Sequence, residues 1–165
     1  MHAADHTLTI PLADSAATEA LGTALAHALR PGLVIWLSGD LGAGKTTLAR
    51  GLLRGLNFNG RVKSPTFSLL EIYVFSSFNL YHFDLYRFTD PEEWLDAGFR
   101  DYFNPYSVCL VEWPERGEGV LPAPDVLIRL GFSGPDCAAR KADLGALTEA
   151  GRQCMDRLGE PQSPG

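Results

Sequence analysis

Apolar residues along this chain fall into short continuous runs and helical repeats. Leu33-Val34-Ile35-Trp36-Leu37 is an unbroken apolar run closed by Ser38, the pattern of a strand buried on both faces. Ser107 to Val111 is a second such strand, closed by Glu112. Helical spacing stands out in two places. Asp14 is placed to cap a helix running to about Arg30, with Leu21, Leu25 and Leu29 on one face and Pro31-Gly32 beyond its end. Thr46 to Leu56 carries Leu48, Leu52, Leu53 and Leu56 at the same periodicity.

Thr66 to Phe88 is rich in aromatic and branched residues around Ser76-Ser77-Phe78-Asn79. It predicts a β-hairpin, with strands around Ser68 to Phe75 and Leu80 to Phe88. A helix is expected to start at Asp90-Pro91, with Glu92 and Glu93 in its first turn. Thr7 to Pro11 reads as a short edge strand, Asn57 to Gly60 as a loop, and Asp125 to Phe132 as a partly alternating strand. Arg140 to Leu147 adds a strand, Thr148 to Leu158 a final helix, and Gly159 to Gly165 a frayed end. Parallel strands with an inserted hairpin imply a mixed, partly antiparallel central sheet with helices on its faces. The expected fold class is α/β, a P-loop NTPase-like three-layer fold. It forms a single domain over residues 1–165 with an ordered core at about 7–158.

What joins the first apolar strand to its helix carries the chemistry. Residues 39–47 read Gly-Asp-Leu-Gly-Ala-Gly-Lys-Thr-Thr, and Gly39, Gly44, Lys45 and Thr46 fit the phosphate-binding pattern G-x-x-x-x-G-K-[ST]. A polyphosphate needs converging backbone N–H groups. Glycines let the chain bend around it, and the next helix turns its positive end toward it. Asp40, Leu41, Gly42, Ala43 and Gly44 are thus the cradle, Lys45 the phosphate lysine and Thr46 the Mg²⁺ hydroxyl.

Such a loop needs an acid near its metal, at the end of a neighbouring apolar strand. Glu112 follows Val108-Cys109-Leu110-Val111 directly; Asp84 lies in Tyr81-His82-Phe83-Asp84-Leu85-Tyr86-Arg87. Spacing alone leaves Asp84 open between a site residue and the polar face of a half-exposed strand. Lys63-Ser64-Pro65-Thr66-Phe67 occupies the place where nucleotide switches carry a hydroxyl, although a plain turn accounts for it as well. Arg87 and Arg116 are candidates for neutralising transition-state charge or are simply solvated. Trp113 stacks near the site or packs beside Pro114. His82 reads as a structural histidine, and Tyr102, Phe103 and Tyr106 as core or loop anchors.

Composition narrows the classes. At 45% hydrophobic and 21% charged residues the chain is an ordinary globular protein, and no apolar run approaches a membrane span. A net charge of −6 without a basic run argues against direct binding of nucleic acid or anionic membranes. Met1 to His6 lacks a signal-peptide pattern, and Cys109, Cys137 and Cys154 are odd in number and widely spaced. Both point to a reducing cytoplasm.

Four blocks, taken in order, resemble one small family. They are residues 39–47, Val62-Lys63-Ser64-Pro65-Thr66-Phe67, His82-Phe83-Asp84-Leu85-Tyr86-Arg87 and Val111-Glu112-Trp113-Pro114-Glu115-Arg116. Together they are similar to TsaE, also called YjeE, the bacterial ATPase subunit of the machinery that makes threonylcarbamoyladenosine in tRNA. The resemblance spans about residues 7 to 158. It implies a Mg²⁺-dependent, slowly hydrolysing ATPase that associates with the TsaB–TsaD pair and supports repeated turnover of the threonylcarbamoyl transfer made by TsaD. By residue match it implies catalytic roles for Lys45, Asp84 and Glu112, metal binding by Thr46 and Glu112, and nucleotide contacts from Thr47 and Trp113. Ser64 and Thr66 become switch residues. Trp94 departs from the Leu common at that place, outside all four blocks.

A small-molecule kinase is the alternative, but the aromatic hairpin stands where an arginine-bearing lid would be expected. A GTPase would need an Asn-Lys-x-Asp loop, and none of Lys45, Lys63 and Lys141 follows an Asn.

Overall fold

The computed structural model describes residues 6–40, 44–60, 70–90, 92–134 and 139–159. In chain order the elements are β1 (His6–Leu12), α1 (Ser15–Ala28), β2 (Val34–Ser38), α2 (Lys45–Gly55), β3 (Leu70–Val74) and β4 (Asn79–Asp84). Then follow α3 (Glu92–Asp96), β5 (Ser107–Glu112), β6 (Val126–Ser133), β7 (Ala139–Ala146) and α4 (Glu149–Leu158). Short 3-10 turns at Phe99–Tyr102 and Pro114–Gly117 flank β5.

The described strands form one seven-stranded sheet in the order β1-β7-β6-β2-β5-β4-β3. β2 is central and runs parallel to both β5 and β6, and β4 runs parallel to β5. The outer pairings, β3 with β4, β6 with β7 and β1 with β7, are antiparallel. The sheet is therefore mixed and flanked by helices on both faces, as the apolar pattern predicted.

Alternation decides which helix covers which face. Ile35, Leu37, Val108, Leu110, Ile128, Leu130, Leu144 and Leu80 point to one side, where they meet Leu21 and Leu25 of α1, Leu48 and Leu52 of α2, and Cys154 and Met155 of α4. On the other side Phe83, Cys109 and Val111 pack with Phe88 and Trp94, joined by Phe99, Tyr102 and Phe103. Trp94 is fully buried there, with its ring 5.1 Å from that of Phe83 and 5.2 Å from that of Phe99. The expected aromatic stripe divides. Tyr102 and Phe103 join this cluster, whereas Tyr106 is 79% exposed.

Two local devices hold the helices. Asp14 accepts from the backbone N–H of Ala17 and caps α1. Helices α1 and α2 cross so closely that a Cβ on Gly22 would stand 2.2 Å from the Leu48 carbonyl oxygen, and one on Gly51 would stand 2.1 Å from the Glu19 oxygen. Gly51→Ala forces the helices apart, and overpacking of this kind costs about 1–3 kcal/mol. The variant is expected to melt several degrees below the parent in a thermal scan, despite alanine's better helix propensity. An unchanged melting temperature would show that the crossing relaxes freely.

Asp125 is a clamp that apolar patterning did not single out. Its Oδ2 accepts from the Val34 N–H at 2.8 Å and its Oδ1 from the Thr148 hydroxyl at 2.7 Å. Thr148 in turn caps α4 through the Gly151 N–H. One carboxylate thus ties the start of the central strand to the last helix.

Candidate functional site

The site forms at the carboxyl ends of β2, β4 and β5, where open α/β sheets place their ligands. β2 ends at Ser38, and the chain turns through Gly39 and Asp40 toward α2, which begins at Lys45. Gly44 caps that helix in the left-handed region, φ 107°, ψ 13°, a conformation that disfavours any residue with a Cβ. The helix N-terminus therefore points its free N–H groups out of the strand ends. Leu41, Gly42 and Ala43 lie outside the described residues, as do Ser64 and Thr66.

Lys45 is only 6% exposed. Its Nζ donates to the Gly39 carbonyl at 2.5 Å and lies 3.8 Å from the centre of the Trp113 ring. Burial pushes the pKa of this ammonium below the ordinary lysine value, against the pull of Glu112, Asp84, Glu115 and Asp40. Trp113 holds the left-handed backbone itself, φ 57°, ψ 49°, which is rare for a bulky residue, just before the 3-10 turn that Pro114 opens. The Tyr86 ring packs against Trp113 at 4.9 Å, and the Arg116 guanidinium lies 5.9 Å from the Tyr86 ring.

Both carboxylates arrive on adjacent parallel strands. Asp84 is the last residue of β4 and stands in register with Glu112, the last residue of β5. Alternation puts both on the α2 side of the sheet, with Leu80 and Val108 deeper on the same face. The second hairpin strand ends at Asp84 and not near Phe88, because the Asp84 carboxylate accepts from the Tyr86 N–H at 3.0 Å and draws the chain into a turn. That turn lifts Asp84 from a mid-strand residue to a strand end. Burial, the largest cause, and the neighbouring Glu112 charge raise the Asp84 pKa above the ordinary aspartate value. The Tyr86 hydrogen bond, His82 and Lys45 work in the opposite direction.

The raised Asp84 pKa makes stability depend on pH. A carboxyl whose pKa is higher folded than unfolded binds more protons in the native state across the interval between the two values. Stability is thus lost as pH rises from the ordinary aspartate range through the raised value. Asp84→Asn is expected to melt higher than the parent at pH 7, and the gap should close on acidification. A gap that is absent at pH 7, or that widens in acid, would contradict the assignment.

Glu112 is 3% exposed and meets His82, itself 2% exposed, with His82 Nε2 2.5 Å from Glu112 Oε2. Thr46 is exposed at the helix start, and Thr47 faces a small cleft of about 160 Å³ with Asp14, Ser15, Thr18, Gly44 and Arg140. The sequence reading missed this cleft wall and the tie from His82 to Glu112. Alternation does place His82 and Asp84 on one face, but nothing in the sequence brings β7 and its Arg140 beside the loop. Arg87 follows the turn and is exposed. Among the described residues no three His, Cys, Asp or Glu side chains form an all-protein metal cage. Mg²⁺ sites of phosphate-binding loops take few protein ligands and complete their shell with phosphate and water, so Thr46 and Glu112 suit such an ion.

Residues 12–141 match the family model for the threonylcarbamoyl adenosine biosynthesis protein TsaE. The chain belongs to the TsaE family. It is 49% identical over 123 residues to the tRNA threonylcarbamoyladenosine biosynthesis protein TsaE of Haemophilus influenzae, covering 74% of this chain and 76% of that one. To the TsaE of Bacillus subtilis it is 41% identical over 119 residues, 72% of this chain and 74% of its relative. The fold matches the crystal structure of Bacillus subtilis YdiB with a TM-score of 0.81 and 30% identity, over 96% of this chain and 97% of that one. The residues matched by the family model include positions 39–47, Asp84 and Glu112.

Proposed function

We propose that this TsaE-family chain is a Mg²⁺-dependent ATPase subunit that supports threonylcarbamoyladenosine formation in tRNA through a TsaB–TsaD partner pair. The observation that carries this reading is the meeting of Lys45, Asp84 and Glu112 at the strand ends around a helix N-terminus, in a chain matched by the TsaE family model.

In this reading the phosphates of ATP lie on the backbone of residues 40–44 and the first turn of α2, with Lys45 neutralising their charge. Thr46 and Glu112 hold Mg²⁺, which when bound supplies positive charge to the phosphate oxygens. Asp84 is the second carboxylate, half-buried at the same level, and acts with Glu112 in orienting the attacking water. Trp113 presents an aromatic face that keeps Lys45 beside the phosphates. The cleft by Thr47 takes the nucleoside end.

A net charge of −6 gives the chain little affinity of its own for tRNA, so its part in modification runs through protein partners, in the cytoplasm. Among the described residues no helix is long and apolar enough to cross a membrane. Ser64 and Thr66 are the proposed switch that reports the γ-phosphate to the partner surface.

A nucleotide shifts association only if the partner distinguishes the two bound forms. Titration of the TsaB–TsaD pair against the ATP-bound and ADP-bound chain should therefore give two different affinities, with the difference reduced in Thr66→Ala. Identical affinities for the ATP, ADP and nucleotide-free forms would reject the coupling.

A further inference from the structure

One pleat below Asp84, a buried histidine in an otherwise apolar layer meets the Glu112 carboxylate. The residues around it on the α2 face of β4 and β5 are Leu80, Val108 and Leu110, all buried in the main core. His82 stands in register with Leu110, one pleat below Asp84, and reaches diagonally across to Glu112. The side chains of His82 and Glu112 are 3% and 4% exposed, and Nε2 and Oε2 are 2.5 Å apart. A carboxylate only accepts, so the ring presents Nε2–H to Glu112. That bond engages one of two carboxylate oxygens and fixes the rotation of the carboxylate about its last torsion.

We propose that His82 is a positioning residue: it holds the Glu112 carboxylate in the one orientation in which its other oxygen serves the metal beside Lys45 and Thr46. The inference rests on the reading of Glu112 as the metal-side acid. Long carboxylate side chains otherwise lose rotamer freedom when ordered, and a partner that orders them in advance removes that loss from the binding step. Placing the donor on β4 also couples Glu112 to the strand that carries Asp84, so one pleat sets both acids. An apolar residue at position 82 would suit the surrounding layer better but would leave a buried carboxylate unpaired.

The test compares two replacements of similar polarity. The amide nitrogen of His82→Gln reaches about as far as Nε2, whereas that of His82→Asn stops short, near the place of Nδ1. For each variant, kcat and KM for ATP are measured, together with melting temperature and ATP affinity by calorimetry with and without Mg²⁺. His82→Asn is expected to lose about 10–100-fold both in kcat and in the gain in ATP affinity that Mg²⁺ brings, as for other groups that orient metal ligands. Its metal-free ATP affinity should stay at the parental level. His82→Gln should restore most of both losses. In a Glu112→Gln background, His82→Asn should have no further effect, because the group it orients is gone.

Equal behaviour of His82→Gln and His82→Asn, or full additivity with Glu112→Gln, would show a structural pair only and overturn the proposal. Should His82→Asn fail to fold, His82→Gln decides alone: parental melting with a lost Mg²⁺ effect overturns it, and a retained effect supports it. Failure of the site reading itself looks different, since Glu112→Ala would then hydrolyse ATP at the parental rate.

Discussion

Replacing Glu112 by alanine is expected to slow ATP hydrolysis by about 10²–10³-fold, the range found when a group aimed at developing charge is removed from a preorganised site. Phosphoryl transfer leaves the protein little covalent chemistry, so positioning and charge neutralisation carry the rate. Glu112 ends β5, is 3% exposed and is tied to His82, so its carboxylate is ordered before any ligand arrives. The phosphate cradle and Lys45 are untouched by the change, so ATP should remain bound. Asp84→Ala should lower turnover in the same direction. Steady-state hydrolysis and calorimetry on the same preparations check the split. Parental turnover in both Glu112→Ala and Asp84→Ala would remove the acidic pair from the mechanism.

Lys45→Ala should fail earlier, at binding. The ammonium is 6% exposed and its pKa is pushed down by burial, so the fold bears an unfavourable desolvation in order to keep a charge there. Truncating one member of a buried charged contact loses about 2–5 kcal/mol, which is roughly 30- to 5,000-fold in affinity. The variant should fold, because alanine removes that desolvation along with the contacts to Gly39 and Trp113. Circular dichroism and an ATP titration are sufficient to check both halves of the expectation. Undiminished ATP affinity would withdraw the phosphate-binding role from the start of α2.

Much of this fold was legible because apolar periodicity and cap chemistry are local. The central strand, the helix after Gly44, the Asp14 cap and the hairpin around Ser76 can all be read from neighbouring residues. Strand order is not local. No neighbouring residue announces that β2 lies between β5 and β6, or that β7 pairs with both β6 and β1. Asp84 illustrates the limit. Leu85, Tyr86 and Phe88 extend the aromatic pattern, yet one side-chain hydrogen bond to the Tyr86 N–H ends the strand at Asp84 and brings it level with Glu112. The tie between His82 and Glu112 spans 30 residues and depends on the parallel register of β4 with β5, which periodicity does not fix.

A reconstituted reaction tests the ATPase-subunit role most directly. The TsaB–TsaD pair, tRNA and the threonylcarbamoyl donor would be combined with ATP and this chain, and the threonylcarbamoyladenosine formed per partner complex would be counted. The parent chain should raise the yield well above one product per complex, whereas Lys45→Ala and Glu112→Ala should leave it where it stands without the chain. A yield that is the same with the parent chain, with either variant, or with no chain at all would contradict the ATPase-subunit role.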